Sequence, residues 1–210
     1  VKFSGRAIGR PGMHKIYIPP HTVFQQSLFW KYCMRGYFMD GGNMKYVKYY
    51  LAAGLIFTSV LGTLSHFFYD WSGQNAFIAL FSPVSESTWE HMKLVFFPLL
   101  FWSLLAPPRA RKALPALRPA LLAGGLAGTW SIPVLFYTYS GILGRNIAFI
   151  DIAIFYIAVL ISFGLARKLC TSARMEDAGS VIGILTIIMV LAFFLFTFSA
   201  PRGGLFAVPG

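Results

Sequence analysis

The residues of this sequence whose types and spacing could do chemistry are seven ionisable side chains near the ends of apolar segments. They are His66, Asp70, Glu86, Glu90, His91, Lys93 and Asp151. Carboxylates and imidazoles can bind cations, relay protons or act as general acids and bases. A charge within an apolar segment is costly unless it faces protein or water, so each of these residues predicts a partner or a site.

The segment with the most of these residues is predicted to open a helix. Ser82 followed by Pro83 is typical of an N-cap and the first helical position. A helix that begins there would place Glu86, Glu90 and Lys93 on one stripe, because residues three and four apart share a helical face.

Lys93 lies deepest along this predicted helix, inside the outer half of the hydrocarbon. A lone ammonium at that depth would cost several kcal/mol. Two carboxylates are within reach by position, Glu90 one turn earlier and Asp151 one turn into another apolar run. We therefore expect Lys93 to pair with Glu90 or Asp151.

The seven residues fit three functions. They could form a site or pathway for a small solute, an ion or protons, or they could be a buried network that only holds helices together. The alternative is a membrane-embedded, metal-dependent hydrolase, in which His66, His91 and Glu90 hold zinc and Glu86 or Glu90 acts as general base. The H-E-x-x-H spacing of many zinc hydrolases is missing, since Glu90 and His91 are adjacent.

The elements that must position these residues are membrane helices. The chain is 57% hydrophobic and 12% charged, with a mean hydropathy of +0.64, whereas soluble domains are about 25% charged. Five apolar runs cover residues 49–68, 89–106, 119–139, 147–166 and 181–200. Each has about 20 residues, enough for a helix to cross a bilayer. The sequence predicts an all-α polytopic membrane helix bundle with about five transmembrane helices.

The loops between these runs predict the orientation. Basic residues cluster before the first run, between the second and third, and after the fourth: Lys45, Lys48, Arg109, Arg111, Lys112, Arg118, Arg167, Lys168 and Arg174. The opposite loops hold only Arg145 and, after the last run, Arg202. Because basic loops stay in the cytoplasm, the amino end is predicted inside and the carboxyl end outside. All seven ionisable residues then lie near the outer face.

The formal net charge of +11 is explained by these loops and not by nucleic-acid binding, since no basic stripe is interleaved with aromatic residues. The expected partner is the lipid bilayer, and a homo-oligomer or a second membrane protein stays open. Apart from the zinc alternative, no cofactor motif is evident. The spacing of Cys33 and Cys170 suggests neither a disulfide nor a thiolate metal site.

Residues 1–43 differ from the rest and are predicted to be a polar segment outside the transmembrane domain, which covers residues 44–210. They hold prolines, glycines and scattered charges without a run of spanning length. Two explanations fit. The segment is a cytoplasmic tail without fixed structure, or it is not naturally translated and Met44 is the start, since Gly41 and Gly42 could encode a ribosome-binding site.

Residues 82–98, SPVSESTWEHMKLVFFP, resemble the block S-P-x-N-E-S-x-W-E-H-x-K-L-x-F-F-P of an uncharacterised family of small bacterial polytopic membrane proteins. Ser85 stands where that family has asparagine. The segments HFFYDWSG at 66–73 and TFSAP at 197–201 are similar to further family segments. The resemblance implies a multi-pass protein of the bacterial cytoplasmic membrane and implies no activity.

Overall fold

The structure is a computed structural model that describes residues 41–208. Over this range the chain is all-α, without a strand. The helices are α1 (Gly41–Trp71), α2 (Ala76–Ala79), α3 (Thr88–Leu104), α4 (Pro108–Ala113), α5 (Leu117–Leu143), α6 (Ala148–Leu169), α7 (Ala173–Asp177) and α8 (Gly179–Phe198), followed by a 3-10 turn at Gly204–Phe206. The predicted all-α polytopic bundle is confirmed.

Four helices are long and apolar enough to cross a membrane: α1 over Lys45–Trp71, α5, α6 and α8. Their mean hydropathies are 1.6, 1.4, 2.3 and 2.8. Large apolar side chains on their outer faces are exposed, among them Ile56, Leu160 and Leu191. Contiguous exposed apolar surface of this kind is expected where lipid is the solvent. These four helices correspond to four of the five predicted spans.

The remaining predicted span, residues 89–106, is α3, which is the central helix of the described bundle. It has 17 residues, of which 12 are buried, and its length is about 25 Å at the helical rise per residue. It packs against α1, α5 and α6, and Trp89 and Phe97 pack on Phe193 of α8. Because other helices cover α3, it can carry Glu90 and Lys93 without exposing their charges to lipid.

The predicted start of this helix at Ser82 and Pro83 is wrong. The helix begins at Thr88, and Ser87 is its N-cap, whose hydroxyl accepts a hydrogen bond from the Glu90 backbone N–H at 3.3 Å. The pattern Ser-x-x-Glu over residues 87–90 is a capping-box signature that predicts this start. Residues 82–87 are irregular, so Glu86 is free of the helical stripe on which the earlier start would have placed it.

Polar residues near the ends of several helices meet at one end of the bundle. His66 near the end of α1 contacts Glu86, just before α3. Lys93 in α3 reaches Thr197 at the end of α8. The end of α5 likewise contacts the start of α6. This arrangement brings residues that are far apart in sequence to a shared level in the bundle.

The prediction for residues 1–43 lies almost entirely outside the described residues. Residues 41–43 form the start of α1. Both explanations of the preceding segment stay predictions, and so does the orientation derived from loop charge.

Candidate functional site

Two groups of polar and ionisable residues lie at this end of the bundle, and they differ in whether their hydrogen-bonding atoms all have partners. The first, which we call the histidine cluster, consists of His66, Glu86 and His91. The second, the lysine network, consists of Lys93, Glu90 and Thr197. The structure thus places five of the seven residues named from the sequence in two separate groups, and Asp70 and Asp151 belong to neither.

The histidine cluster combines residues from three local structures. His66 lies near the carboxyl end of α1, His91 in the first turn of α3, and Glu86 in the irregular segment between them. The Oε2 atom of Glu86 is 3.3 Å from Nε2 of His91 and 3.7 Å from Nε2 of His66. The two imidazole ring centres are 5.4 Å apart. One ligand atom from each residue therefore lies within 4.8 Å of the others.

The hydrogen bond that Nδ1 of His91 makes on the side of the ring away from Glu86 determines which ring nitrogen carries the proton. Nδ1 of His91 lies 2.9 Å from the backbone carbonyl oxygen of Ser87. A carbonyl oxygen only accepts, so Nδ1 carries a proton, and in the neutral ring Nε2 is then a lone-pair acceptor. This acceptor faces a carboxylate oxygen. Two acceptors so placed repel each other unless a proton or a metal ion lies between them.

The cluster lies on the wall of a cavity of 490 Å³. Most of the lining is apolar, but Thr88, Asn146 and Asp151 also line it. The Thr88 side chain is 3% exposed, and its hydroxyl has no hydrogen-bond partner among the described residues. The Glu86 side chain is 65% exposed, which leaves the cluster accessible from the surface.

The lysine network is fully satisfied. The Lys93 side chain is completely buried, and its ammonium donates to Glu90 Oε2 at 2.6 Å, to Thr197 Oγ1 at 2.7 Å and to the Ala79 carbonyl oxygen at 3.0 Å. An ammonium has three N–H donors, and all three are used. Glu90 also accepts from the Val84 backbone N–H at 3.0 Å. The predicted pairing of Lys93 with Glu90 is confirmed.

The other candidate carboxylates have different surroundings. Asp151 lines the cavity and accepts a hydrogen bond from the Tyr139 hydroxyl, which itself accepts from the Ile147 backbone N–H at 3.1 Å. Asp70 is exposed and does not line the cavity. Of the residues named for zinc from the sequence, His66 and His91 lie together, but Glu86 takes the place between them that was expected for Glu90.

Sequence reasoning missed three residues of these sites. Thr88 carries no signal beyond its position after the N-cap. Thr197 and Tyr139 lie on different helices from their partners Lys93 and Asp151, so no spacing within one helix could have identified them. The Ser-x-x-Glu capping signature could have freed Glu86 from the helix and suggested its place beside the histidines.

Comparisons with known proteins supply no activity. The model of a family of unknown function matches residues 39–208. No curated protein and no solved structure matches the chain.

Proposed function

The chain belongs to this family of unknown function, DUF6512, and we propose that it is a multi-pass protein of the bacterial cytoplasmic membrane that binds a divalent transition-metal ion. The ion is of the zinc class, and its ligands are His66, His91 and Glu86. The site lies at the end of the bundle that loop charge predicts to be outside the cell. Family membership assigns no activity, so the proposal rests on the histidine cluster.

The observation that supports metal binding most strongly is the convergence of two imidazole nitrogens and a carboxylate, with His91 already held by a backbone carbonyl. Metal-binding histidines almost always donate their second N–H to a carbonyl or carboxylate in this way. Zinc bonds of 2.0–2.1 Å in a tetrahedron place neighbouring ligand atoms about 3.3 Å apart. The contacts of Glu86 at 3.3 and 3.7 Å are close to that separation.

A proton is the competing occupant of the cluster. A protonated His91 would also relieve the repulsion between its ring and Glu86, as in an ordinary surface ion pair worth about 0–1 kcal/mol. The two occupants respond oppositely to pH. Metal affinity falls as pH is lowered, because the ligand nitrogens must be unprotonated, whereas a histidine–glutamate ion pair strengthens as the imidazole gains its proton.

Metal analysis of the purified chain tests this proposal. We expect one zinc ion per chain after equilibration with zinc at neutral pH, measured by elemental analysis and by competition with a coloured chelator. His91→Ala removes a direct ligand, so affinity should fall by more than the roughly 10- to 100-fold loss that follows removal of an outer-shell partner.

Asp70→Asn is the matched control, because it removes an exposed carboxylate from the same end of the bundle without touching the cluster. It should leave zinc binding unchanged. A wild-type chain that retains no zinc above the level of His91→Ala, at neutral and alkaline pH alike, would contradict metal binding at the cluster, because at alkaline pH no proton competes for the ligand nitrogens.

A metal-dependent hydrolase is a second candidate because the cluster supplies three protein ligands and faces a cavity. Catalytic zinc sites have three protein ligands and a fourth position for water, whereas structural sites have four protein ligands. We expect the Co²⁺-loaded chain to change its visible absorption when acetohydroxamate, a small chelating probe, is added. A spectrum that does not respond to the probe would mean that no coordination position is open, and hydrolysis at this metal would be ruled out.

A further inference from the structure

A second cavity lies between α1 and α6, at the opposite end of these helices from the histidine cluster. It has a volume of 350 Å³. Its lining consists of Lys48, Leu51, Ala52 and Leu55 from α1 and Leu160, Phe163, Gly164 and Arg167 from α6. We call it the cationic groove, since two of its eight residues are basic and the others are apolar or small.

The charges of the groove lie at one end and its apolar walls extend from them. Lys48 is seven residues before Leu55 in α1, and Arg167 is seven residues after Leu160 in α6. At 1.5 Å per residue both helices carry the groove about 10 Å away from its basic end. The two helices run in opposite directions, so these two distances describe the same stretch of groove.

The basic end also carries a local excess of positive charge. Lys48 and Arg167 are exposed, and neither forms an ion pair with a carboxylate among residues 41–208. Lys45 lies near the same end of α1, and Lys168 lies near the same end of α6. An anionic group bound between Lys48 and Arg167 would therefore meet attraction without displacing a protein carboxylate.

Gly164 leaves the floor of the groove open. A Cβ atom built at this position has no atom within 4 Å, so no helix packs closely against it. Glycine in the middle of a helix destabilises it by about 0.5–1 kcal/mol relative to alanine. A Cβ at Gly124 or Gly128 of α5 would instead meet atoms of α6. Gly164 faces no neighbouring helix, so the space above it belongs to the groove.

We propose that the cationic groove binds one anionic phospholipid. Its phosphate group lies between Lys48 and Arg167, and one acyl chain follows the apolar walls past Gly164 towards Leu55 and Leu160. Basic pockets between helices at the cytoplasmic side of membrane proteins suit anionic lipid head groups. The proposal is independent of metal binding, since the groove shares no residue with the histidine cluster.

Titration of the full-length protein in mild detergent with phosphatidylglycerol, and separately with phosphatidylcholine of the same acyl chains, tests the proposal by native mass spectrometry. Two cations near the membrane surface predict a preference of about 30-fold for phosphatidylglycerol. Lys48→Gln or Arg167→Gln should each reduce that preference about fivefold. Lys112→Gln, an exposed basic residue outside the groove, should leave it unchanged.

Gly164→Leu separates a lipid from a free anion. The new side chain fills the groove, so binding of both lipids should fall about tenfold, by the apolar contacts that it displaces. Gly183→Leu in α8 is the control, because its Cβ also meets open space and lies outside the groove. Thermal unfolding of both variants checks that the fold is retained.

Four results would contradict the proposal. They are equal affinity for the two lipids, lipid binding that Gly164→Leu leaves intact, full competition by glycerol phosphate without acyl chains, and a dimer that forms in place of a lipid complex. Competition by glycerol phosphate would indicate a site for a free phosphate group. A dimer lost in Gly164→Leu would indicate that a second copy of the chain occupies the groove.

Discussion

Replacing Lys93 by methionine is expected to lower the free energy of unfolding by about 3–5 kcal/mol, because the substitution leaves the Glu90 carboxylate buried without its cation. Glu90 is 3% exposed and Lys93 is fully buried. The ammonium also links α3 to α8 through Thr197 and to α2 through the Ala79 carbonyl. Loss of the single group therefore removes one contact within α3 and two contacts that join α3 to other helices.

The double variant Lys93→Met with Glu90→Gln is expected to be milder than Lys93→Met alone. A neutral glutamine needs no cation, and its side-chain oxygen can still accept from the Val84 N–H, as Glu90 does at 3.0 Å. Unfolding by sodium dodecyl sulfate in mixed micelles, followed by circular dichroism, measures the differences. Lys112→Met, at an exposed site, should change the free energy by no more than about 0.5 kcal/mol.

Equal losses in the single and double variants would show that the two charges do not stabilise each other. A stable Lys93→Met variant would show that the pair is not structural. A relay for protons would then regain support, because a relay residue has to release its partner during transport. The full use of all three ammonium donors favours the structural role instead.

Replacing Gly128 by alanine is expected to destabilise the fold by about 1–3 kcal/mol through overpacking. A Cβ at this position would overlap the Ser162 hydroxyl and lie 2.5 Å from the Ala158 carbonyl oxygen. Gly124, one turn earlier, would direct a Cβ into the Ser162 carbonyl oxygen. The close approach of α5 to α6 therefore depends on these two glycines, as the G-x-x-x-G spacing allows.

Gly141→Ala in the same helix is the matched control and should have the opposite sign. A Cβ there has no atom within 4 Å, so alanine adds helix propensity without a clash and should stabilise by up to about 1 kcal/mol. Combining Gly128→Ala with Ser162→Ala should restore part of the loss, because it removes the hydroxyl that the new methyl group meets. If both glycine variants shift stability equally, close packing at Gly128 is not required.

The two polar sites suggest different contributions to the protein. The lysine network has every donor paired and is deeply buried, which is typical of a group that holds helices in register. The histidine cluster has two facing acceptors and an exposed carboxylate beside a cavity. A ligand that binds at unsatisfied polar groups beside a cavity gains binding free energy, because these groups have no hydrogen-bond partner within the protein.

The sequence by itself determined the membrane architecture, because crossing a bilayer requires helices of a length and hydropathy that are local properties of each segment. Four of the apolar runs are the four candidate spans, and the remaining run, residues 89–106, is α3. The salt bridge of Lys93 with Glu90 was also predictable, since a helix places residues three apart on one face.

The tertiary structure alone decided which groups meet across helices. The place of Glu86 between His66 and His91 depends on the irregular segment before α3 and on the position of α1 beside it. The contacts of Lys93 with Thr197 and of Asp151 with Tyr139 depend likewise on the packing order of the helices. Hydropathy determines the depth of each residue in the membrane. The hydropathy of each segment is the same for any arrangement of the helices around the bundle axis, so it does not determine which residues contact each other.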